Sequence, residues 1–215
     1  GAWTKTFDSG KFIRKSSEFR DCIEANGTFD VESRRYHLYV SYACPWAHRT
    51  LITRAILGLE DHITVDVVDW RMNQDGSWSF NPDEEGATAD TINGENSLEG
   101  VYNRAFDGWN ESQRIGTVPV LWDRKHTTIV NNESREIIRM FDTLARSGLG
   151  NGTTLCPPEL QGDIDVIIDA NYESVNNGVY KSGFARTQSA YDEAVTALFT
   201  RLDELEVHLN GREWL

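Results

Sequence analysis

The sequence predicts an α/β domain followed by an all-α domain. A strand, a helix and a second strand follow one another between residues 36 and 70, and two further strands and a helix lie between residues 117 and 146. Beyond a glycine-rich break at residues 147–152, only helical patterns remain. A strand–helix–strand order at this spacing is typical of two parallel strands joined by a crossover helix.

The first strand is predicted at residues 36–42, a segment dense in aromatic and β-forming residues. Cys44 and Pro45 follow directly, and proline suits the first turn of a helix because its missing N–H costs nothing there. The helix is predicted to run to about Leu57 and to end at Gly58. Its buried stripe is predicted at four apolar positions: Leu51, Ile52, Ala55 and Ile56.

The remaining elements of the α/β domain follow a long insertion. The second strand is predicted at residues 62–70, and residues 71–116, rich in glycine, asparagine and aspartate, are too long for an ordinary connection. Strands are predicted again at 117–122 and 127–130, followed by a helix at 132–146. The order β-α-β, insertion, β-β-α is that of a thioredoxin-like domain.

Three parts of the chain are therefore predicted: an N-terminal extension at residues 1–34, the thioredoxin-like domain at 35–147 and a helical domain at 153–215. One helix of the last part opens at Pro157-Pro158, and Ser189-x-x-Asp192 has the pattern of a capping box for another. About 60 residues are few for such a domain, so we expect it to be either naturally short or incomplete. The last helix is predicted to bury Tyr191, Val195, Leu198, Leu202, Leu205 and Leu209.

Composition argues against several classes of function. The net charge of −13 disfavours a nucleic-acid partner, because phosphate binding needs a basic surface. No apolar stretch reaches the ~18 residues that would cross a bilayer, so we expect no membrane partner. Three cysteines without a CxxC pair indicate a reducing, cytoplasmic setting and offer no short-spaced metal site.

Cys44 is the candidate nucleophile, since it stands where a buried strand meets the N-terminus of a helix. Free amide N–H groups and the helix dipole favour a thiolate there, and the thiolate is the reactive form. The alternative is a small, inert core residue, because free cysteines are often buried. A dithiol enzyme would carry a second cysteine at the position of Ala47. Its absence predicts monothiol chemistry, in which an outside thiol releases any mixed disulfide.

Four motifs follow one another along the chain: YACPWAHR at residues 42–49, TVPVLWD at 117–123, IVNNESREII at 129–138 and NNGVYKSGFA at 176–185. Together they resemble the glutathionyl-hydroquinone reductases, the xi class of glutathione transferases. The resemblance extends from about residue 35 to the end of the chain. It implies the glutathione transferase fold, glutathione as co-substrate without a metal, and a homodimer.

The resemblance also implies a reaction. The Cys44 thiolate attacks the thioether sulfur of a glutathionyl-hydroquinone, the hydroquinone leaves, and the enzyme holds a mixed disulfide with glutathione. A second glutathione then releases glutathione disulfide. The partners are thus a small thiol and a quinone-derived substrate, and the monothiol inference from Ala47 agrees with this scheme.

Three residues near the predicted strands and helix are implied to bind glutathione. Val118, before a proline expected to be cis, would pair its backbone with the cysteinyl part of glutathione. Ser134 and free helix amides would hold the γ-glutamyl carboxylate, and Glu133 its ammonium group. The alternative for Glu133 and Ser134 is an ordinary acidic first turn and helix cap.

Three more residues are assigned by the resemblance, each with a structural alternative. Trp78 would cover the tripeptide, or else anchor the insertion. Arg114 would pair with a carboxylate, or else be a solvated charge. Tyr180 would line the hydroquinone pocket, or else be a core aromatic with a polar tip.

Two rival functions stay open at this point. One is an omega-like thiol transferase or dehydroascorbate reductase that uses the same Cys44. The other is a transferase-like module that binds thiols or partners without catalysis. Cys44 at a helix N-terminus argues against it, because such a module does not need the nucleophile. The native thiol is also open, since γ-glutamylcysteine or mycothiol replaces glutathione in some organisms.

Overall fold

A computed structural model describes residues 7–109 and 116–213 of the chain. The described residues separate into two compact units. One contains residues 17–109 and 116–155 and is called the α/β unit; the other contains residues 7–16 and 156–213 and is called the helical unit. The predicted N-terminal extension is thus divided between the two units.

The strands, in chain order, are β1 (Phe7–Asp8), β2 (Lys11–Phe12), β3 (Tyr36–Val40), β4 (Thr64–Val67), β5 (Val120–Asp123) and β6 (Thr128–Asn131). The α-helices are α1 (Pro45–Ile56), α2 (Leu98–Ala105), α3 (Ser134–Leu144), α4 (Gln161–Asn171), α5 (Gly178–Gly183) and α6 (Gln188–Leu209). Short π-helical turns extend α3 to Leu149 and α4 to Asn176, and a 3-10 turn precedes α4.

A four-stranded sheet in the order β4-β3-β5-β6 forms the centre of the α/β unit. β3 pairs in parallel with β4 and antiparallel with β5, and β6 completes the sheet antiparallel to β5. Every residue of β3 is buried, which explains its dense run of aromatic and β-branched side chains. The predicted β-α-β and β-β-α orders are both confirmed.

The buried face of α1 differs from the predicted stripe. Ile52 and Ile56 are 44% and 46% exposed. The buried positions, spaced at helical intervals, are Trp46, Ala47, Thr50 and Thr53. The prediction was wrong because two of these residues are polar: the Thr50 hydroxyl donates to the Ala47 carbonyl at 2.7 Å, so the helix itself satisfies it.

The insertion contains a helix that the sequence analysis did not predict. Ser97 caps α2 by accepting a hydrogen bond from the Gly100 amide at 3.3 Å. Leu98, Val101 and Tyr102 are buried in the core of the unit. The helix has only eight residues and lies in a segment rich in glycine and asparagine. It is too short for apolar periodicity to predict a helix there.

The last helix of the helical unit begins earlier than predicted. Thr187 is its N-cap, and the Thr187 hydroxyl accepts a hydrogen bond from the Ala190 amide at 3.2 Å. Ser189 lies inside the first turn, so the predicted capping box was wrong. Tyr191 is 43% exposed rather than buried, while Leu198 is buried as predicted.

A two-stranded hairpin of β1 and β2 belongs to the helical unit. The Phe12 ring lies 6.3 Å from the Tyr180 ring and 5.4 Å from the Phe184 ring. Lys11 forms an ion pair with Glu193 of α6 at 2.7 Å. Among the helices at residues 7–109 and 116–213, none combines the length and apolarity needed to span a membrane.

Candidate active site

Cys44 lies between β3 and α1 and is the N-cap residue of the helix. Its backbone is extended (φ −101°, ψ 114°), and its side chain makes no capping hydrogen bond to the helix. The Cys44 carbonyl accepts from the His48 amide at 3.0 Å, so the residue is joined to the first helical turn. The half-buried sulfur therefore sits at the positive end of the helix dipole, where negative charge is favoured.

The structure brings Cys44 and Val118 together. The Cys44 thiol donates to the Val118 carbonyl at 3.5 Å, and the Val118–Pro119 peptide bond is cis. The expectation of a cis proline at this position is confirmed. Val118 lies two residues before β5, and the start of β5 pairs with the end of β3, so its backbone lies at that edge of the sheet.

Glu133 is the N-cap of α3, and its carboxylate accepts from two donors, one local and one distant in the sequence. One oxygen accepts from the Arg135 amide at 3.3 Å, and the other accepts from the Ser17 hydroxyl at 3.1 Å. The Glu133 amide donates to the Asn131 side chain at 2.7 Å. The capping contact that the sequence analysis gave as an alternative is thus present. A carboxylate accepts up to about four hydrogen bonds, so capacity for an ammonium group remains.

Ser134, the first residue of α3, is joined to α1 by Arg49. The Arg49 Nε and Nη2 atoms donate to the Ser134 hydroxyl at 2.9 and 2.6 Å. Arg49 Nη2 also lies 3.7 Å from a Glu133 carboxylate oxygen. The guanidinium group stands 4.9 Å over the Trp46 ring, which restricts its orientation. The helix that follows Cys44 is therefore tied directly to the start of α3.

Trp78 lies in the packed interior of the α/β unit. Its side chain is 8% exposed and belongs to the main hydrophobic cluster, and its carbonyl accepts from the Leu98 amide at 2.9 Å. This is the packing expected of a loop anchor, and a contact with glutathione stays a prediction. Arg114 lies outside the described residues.

Tyr180 lies on α5 in the helical unit. Its ring packs against Phe12 and Phe184, with the Arg14 guanidinium 5.4 Å from its centre. A cleft of about 400 Å³ in the same unit is lined by the β1–β2 hairpin, α5 and α6, but not by Tyr180. The structure thus gives Tyr180 the aromatic packing of the structural alternative, and its role toward hydroquinone stays a prediction.

The other two cysteines have different surroundings. Cys22 is an exposed residue. The pKa of its thiol is raised, first by partial loss of solvent and then by the nearby carboxylates of Glu136 and Glu24. Cys156 is buried. Neither is the N-cap residue of an α-helix, so neither shares the environment of Cys44. In the part of the chain that the structure describes, no group of three or more histidine, cysteine or carboxylate residues could hold a metal ion.

Comparison with known proteins decides the family. Residues 43–144 match the family described as glutathione S-transferase, N-terminal domain. The chain is 46% identical to glutathionyl-hydroquinone reductase PcpF of Sphingobium chlorophenolicum, over all of this chain and 66% of the relative. It is also 46% identical to glutathionyl-hydroquinone reductase YqjG of Escherichia coli, over all of this chain and 68% of the relative. The chain belongs to the glutathionyl-hydroquinone reductase family of xi-class glutathione transferases.

Solved structures of the family share this fold. The xi glutathione transferase of Phanerochaete chrysosporium superposes with a TM-score of 0.89 and 48% identity, over 95% of this chain and 69% of that one. The glutathione-bound structure of E. coli YqjG superposes with a TM-score of 0.85 and 45% identity, over 92% and 66%. The predicted glutathione transferase fold is confirmed. The chain spans about two thirds of the length of the curated relatives it matches.

Two residues of the site were not predicted. Arg49 stands within the first family motif, but its partner Ser134 is 85 positions away, and no local pattern links them. Ser17 lies in the weakly patterned N-terminal segment and reaches Glu133 across 116 positions. Both contacts arise from tertiary packing, so local sequence patterns carry no signal for them.

Proposed function

We propose that this chain is a glutathione-dependent reductase that converts glutathionyl-hydroquinones to hydroquinones. The Cys44 thiolate attacks the thioether sulfur; the carbon–sulfur bond breaks, and the electron pair and a proton go to the hydroquinone. The resulting mixed disulfide is cleaved by a second glutathione thiolate, which forms glutathione disulfide and returns Cys44. The observation that carries the proposal is the position of Cys44 at the N-terminus of α1.

Family membership and local chemistry support the roles proposed for the site. The E. coli relative has a structure described as glutathione-bound, and both curated relatives are named glutathionyl-hydroquinone reductases. We assign the cysteinyl backbone contact to Val118, and the γ-glutamyl contacts to Glu133 and Ser134. Three assignments rest on the resemblance alone: Trp78 and Arg114 toward glutathione, and Tyr180 toward the hydroquinone ring.

A monothiol cycle follows from the helix that carries Cys44. Ala47, one turn along α1, is fully buried and has no thiol to resolve a mixed disulfide. Release of the enzyme therefore needs a soluble thiol. We also propose a cytoplasmic setting, which three free cysteines support, and a homodimer.

The decisive assay follows hydroquinone release from a glutathionyl-hydroquinone in the presence of glutathione. We expect turnover by the wild type, a loss of at least about a thousandfold in Cys44→Ser, and no change in Cys22→Ser. Dehydroascorbate is assayed in parallel. Faster turnover of dehydroascorbate would favour the omega-like activity, and equal hydroquinone release by Cys44→Ser would remove the thiol mechanism. Glutathione binding without turnover of either substrate would indicate a binding module.

A further inference from the structure

The hydroxyl of Ser134 is an unusual hydrogen-bonding group. It is 3% exposed and accepts two hydrogen bonds from one guanidinium group, that of Arg49. A serine oxygen has two acceptor lone pairs and one hydrogen to donate. Since Arg49 fills both lone pairs, the remaining capacity of the group is as a donor. Within residues 7–109 and 116–213, the hydroxyl receives these two bonds and donates none to another protein group.

The surroundings of this hydroxyl fit an anionic acceptor. Ser134 is the first residue of α3, an 11-residue helix whose first-turn amides point toward the same end. The guanidinium adds a positive charge, and the Trp46 ring 4.9 Å from it limits the rotation of the Arg49 side chain. A neutral group would gain little from this arrangement, whereas a carboxylate gains charge-assisted hydrogen bonds.

We propose that Arg49 is a positioning residue for thiol recognition, acting through Ser134. By occupying both lone pairs of the hydroxyl, Arg49 directs its hydrogen toward the γ-glutamyl carboxylate of the thiol substrate. This inference rests on the proposed function, which assigns that carboxylate to Ser134. It gives Arg49 control over which thiols bind: those with a carboxylate at the γ-glutamyl end are accepted, and those without it are not.

A purely structural role for Arg49 leads to different expectations. Arg49 joins α1 to α3, so its loss could loosen the whole unit and weaken every ligand alike. Positioning of Ser134 affects only ligands with the carboxylate. It also predicts non-additive effects, because Arg49 has nothing to position once the hydroxyl is gone.

The test measures equilibrium binding by calorimetry in the Cys44→Ala background, where the outcome does not depend on turnover. The probes are glutathione, and cysteinylglycine, which lacks the γ-glutamyl group. We expect Arg49→Met and Ser134→Ala each to weaken glutathione binding about 10-fold or more, and the double variant to be no weaker than either. Arg49→Lys is expected to be intermediate, because one ammonium does not reproduce the two-donor fork. Cysteinylglycine binding should not change.

The matched control is Arg104→Met. Arg104 is an exposed arginine of α2 that is paired with Glu95. It should bind glutathione as the parent does. Equal losses for glutathione and cysteinylglycine would overturn the proposal in favour of a structural role. An additive loss of about 100-fold in the double variant would overturn it in favour of independent contacts. If the wild type binds glutathione but does not turn over a glutathionyl-hydroquinone, the proposed function fails while the role of Arg49 is still decided by these affinities.

Discussion

Glu133 illustrates how one carboxylate can serve a helix and a ligand. As the N-cap of α3 it accepts from the Arg135 amide, and the Ser17 hydroxyl fixes its second oxygen. Capping needs only an acceptor atom, whereas binding an ammonium group needs the negative charge. The two roles can therefore be separated by a substitution that keeps the acceptor and removes the charge.

Glu133→Gln is that substitution. We expect glutathione to bind about 10-fold more weakly, because a charge-assisted hydrogen bond to the ammonium group is lost. The melting temperature should change little, because the amide oxygen still caps α3. Calorimetry and thermal denaturation measure the two effects, with Glu85→Gln, a substitution in the insertion away from α3, as the control. A loss of stability with unchanged glutathione affinity would show that Glu133 is a helix cap alone.

At the scale of residues, the sequence predicts the parts of the site that lie at element boundaries. Cys44 stands where a strand meets the start of a helix, so a local pattern reveals it. Val118 and Ser134 also lie beside the starts of elements, but the family resemblance assigned their roles. Arg49 and Ser17 act across long sequence separations, and only the packing of α1 on α3 and of the N-terminal segment on α3 brings them to the site.

Individual elements show where periodicity misleads. On α1, two threonines are buried and two isoleucines are exposed, the reverse of the apolar pattern. A threonine hydroxyl can bond to the preceding turn of its own helix, which removes the penalty for burial. The strands were easier to predict, because a fully buried strand such as β3 is mostly apolar or aromatic on both faces.

The start of α6 provides a test at this scale. Thr187 accepts from the Ala190 amide, so Thr187→Ala should lower the free energy of unfolding by about 1 kcal/mol. Ser189, which the sequence pattern favoured as the cap, makes no such contact, and Ser189→Ala should change it by less than about 0.5 kcal/mol. Urea denaturation of the two variants compares these predictions directly. A larger loss of stability in Ser189→Ala than in Thr187→Ala would favour the capping box at Ser189.

The β1–β2 hairpin provides a second test. Phe12 is buried against the Tyr180 and Phe184 rings, so Phe12→Ala should destabilise the helical unit by about 3 kcal/mol. The neighbouring Ile13 is exposed, and Ile13→Ala should have little effect. Limited proteolysis with mass spectrometry locates the change, since cleavage should increase within residues 156–213. Equal resistance of Phe12→Ala and wild type would mean that the hairpin does not support the helices.

At the scale of the whole molecule, stability should depend on pH through His37, which is fully buried in β3. Its Nδ1 lies 2.6 Å from the Thr64 hydroxyl, and its Nε2 lies 3.2 Å from an Asp66 oxygen without good alignment for a hydrogen bond. Burial lowers the pKa of His37, and this outweighs the opposing effect of Asp66. Folding therefore keeps the imidazole neutral where the unfolded chain would already bind a proton.

The sign of the pH effect follows. The ordinary pKa of histidine is about 6.5. Below that pH the imidazole binds a proton in the unfolded state but not in the folded state. The free energy of unfolding therefore falls as the pH falls. His37→Gln should reduce this slope between pH 7 and the folded-state pKa. The matched control is His48→Gln, a substitution of the same kind at an exposed position. Urea denaturation across this range measures the slopes, and identical slopes for His37→Gln and wild type would contradict the account.

The overall architecture was predictable because its elements are separated by strong signals: a proline at the start of α1, glycine-rich breaks and a change from strands to helices. The division of the N-terminal segment between the two units was not, since residues 7–16 and 17–34 are both weakly patterned. Their assignment depends on which side chains pack, such as Phe12 in one unit and Ile23 in the other.

The central claim is that Cys44 carries the covalent intermediate. The most direct measurement is mass spectrometry of the intact protein and its peptides after exposure to a glutathionyl-hydroquinone without free glutathione. We predict one added glutathione on the peptide that contains Cys44, its removal by added glutathione, and no adduct in Cys44→Ala. An adduct on Cys22 or Cys156 instead, or hydroquinone release without any adduct on Cys44, would contradict the claim.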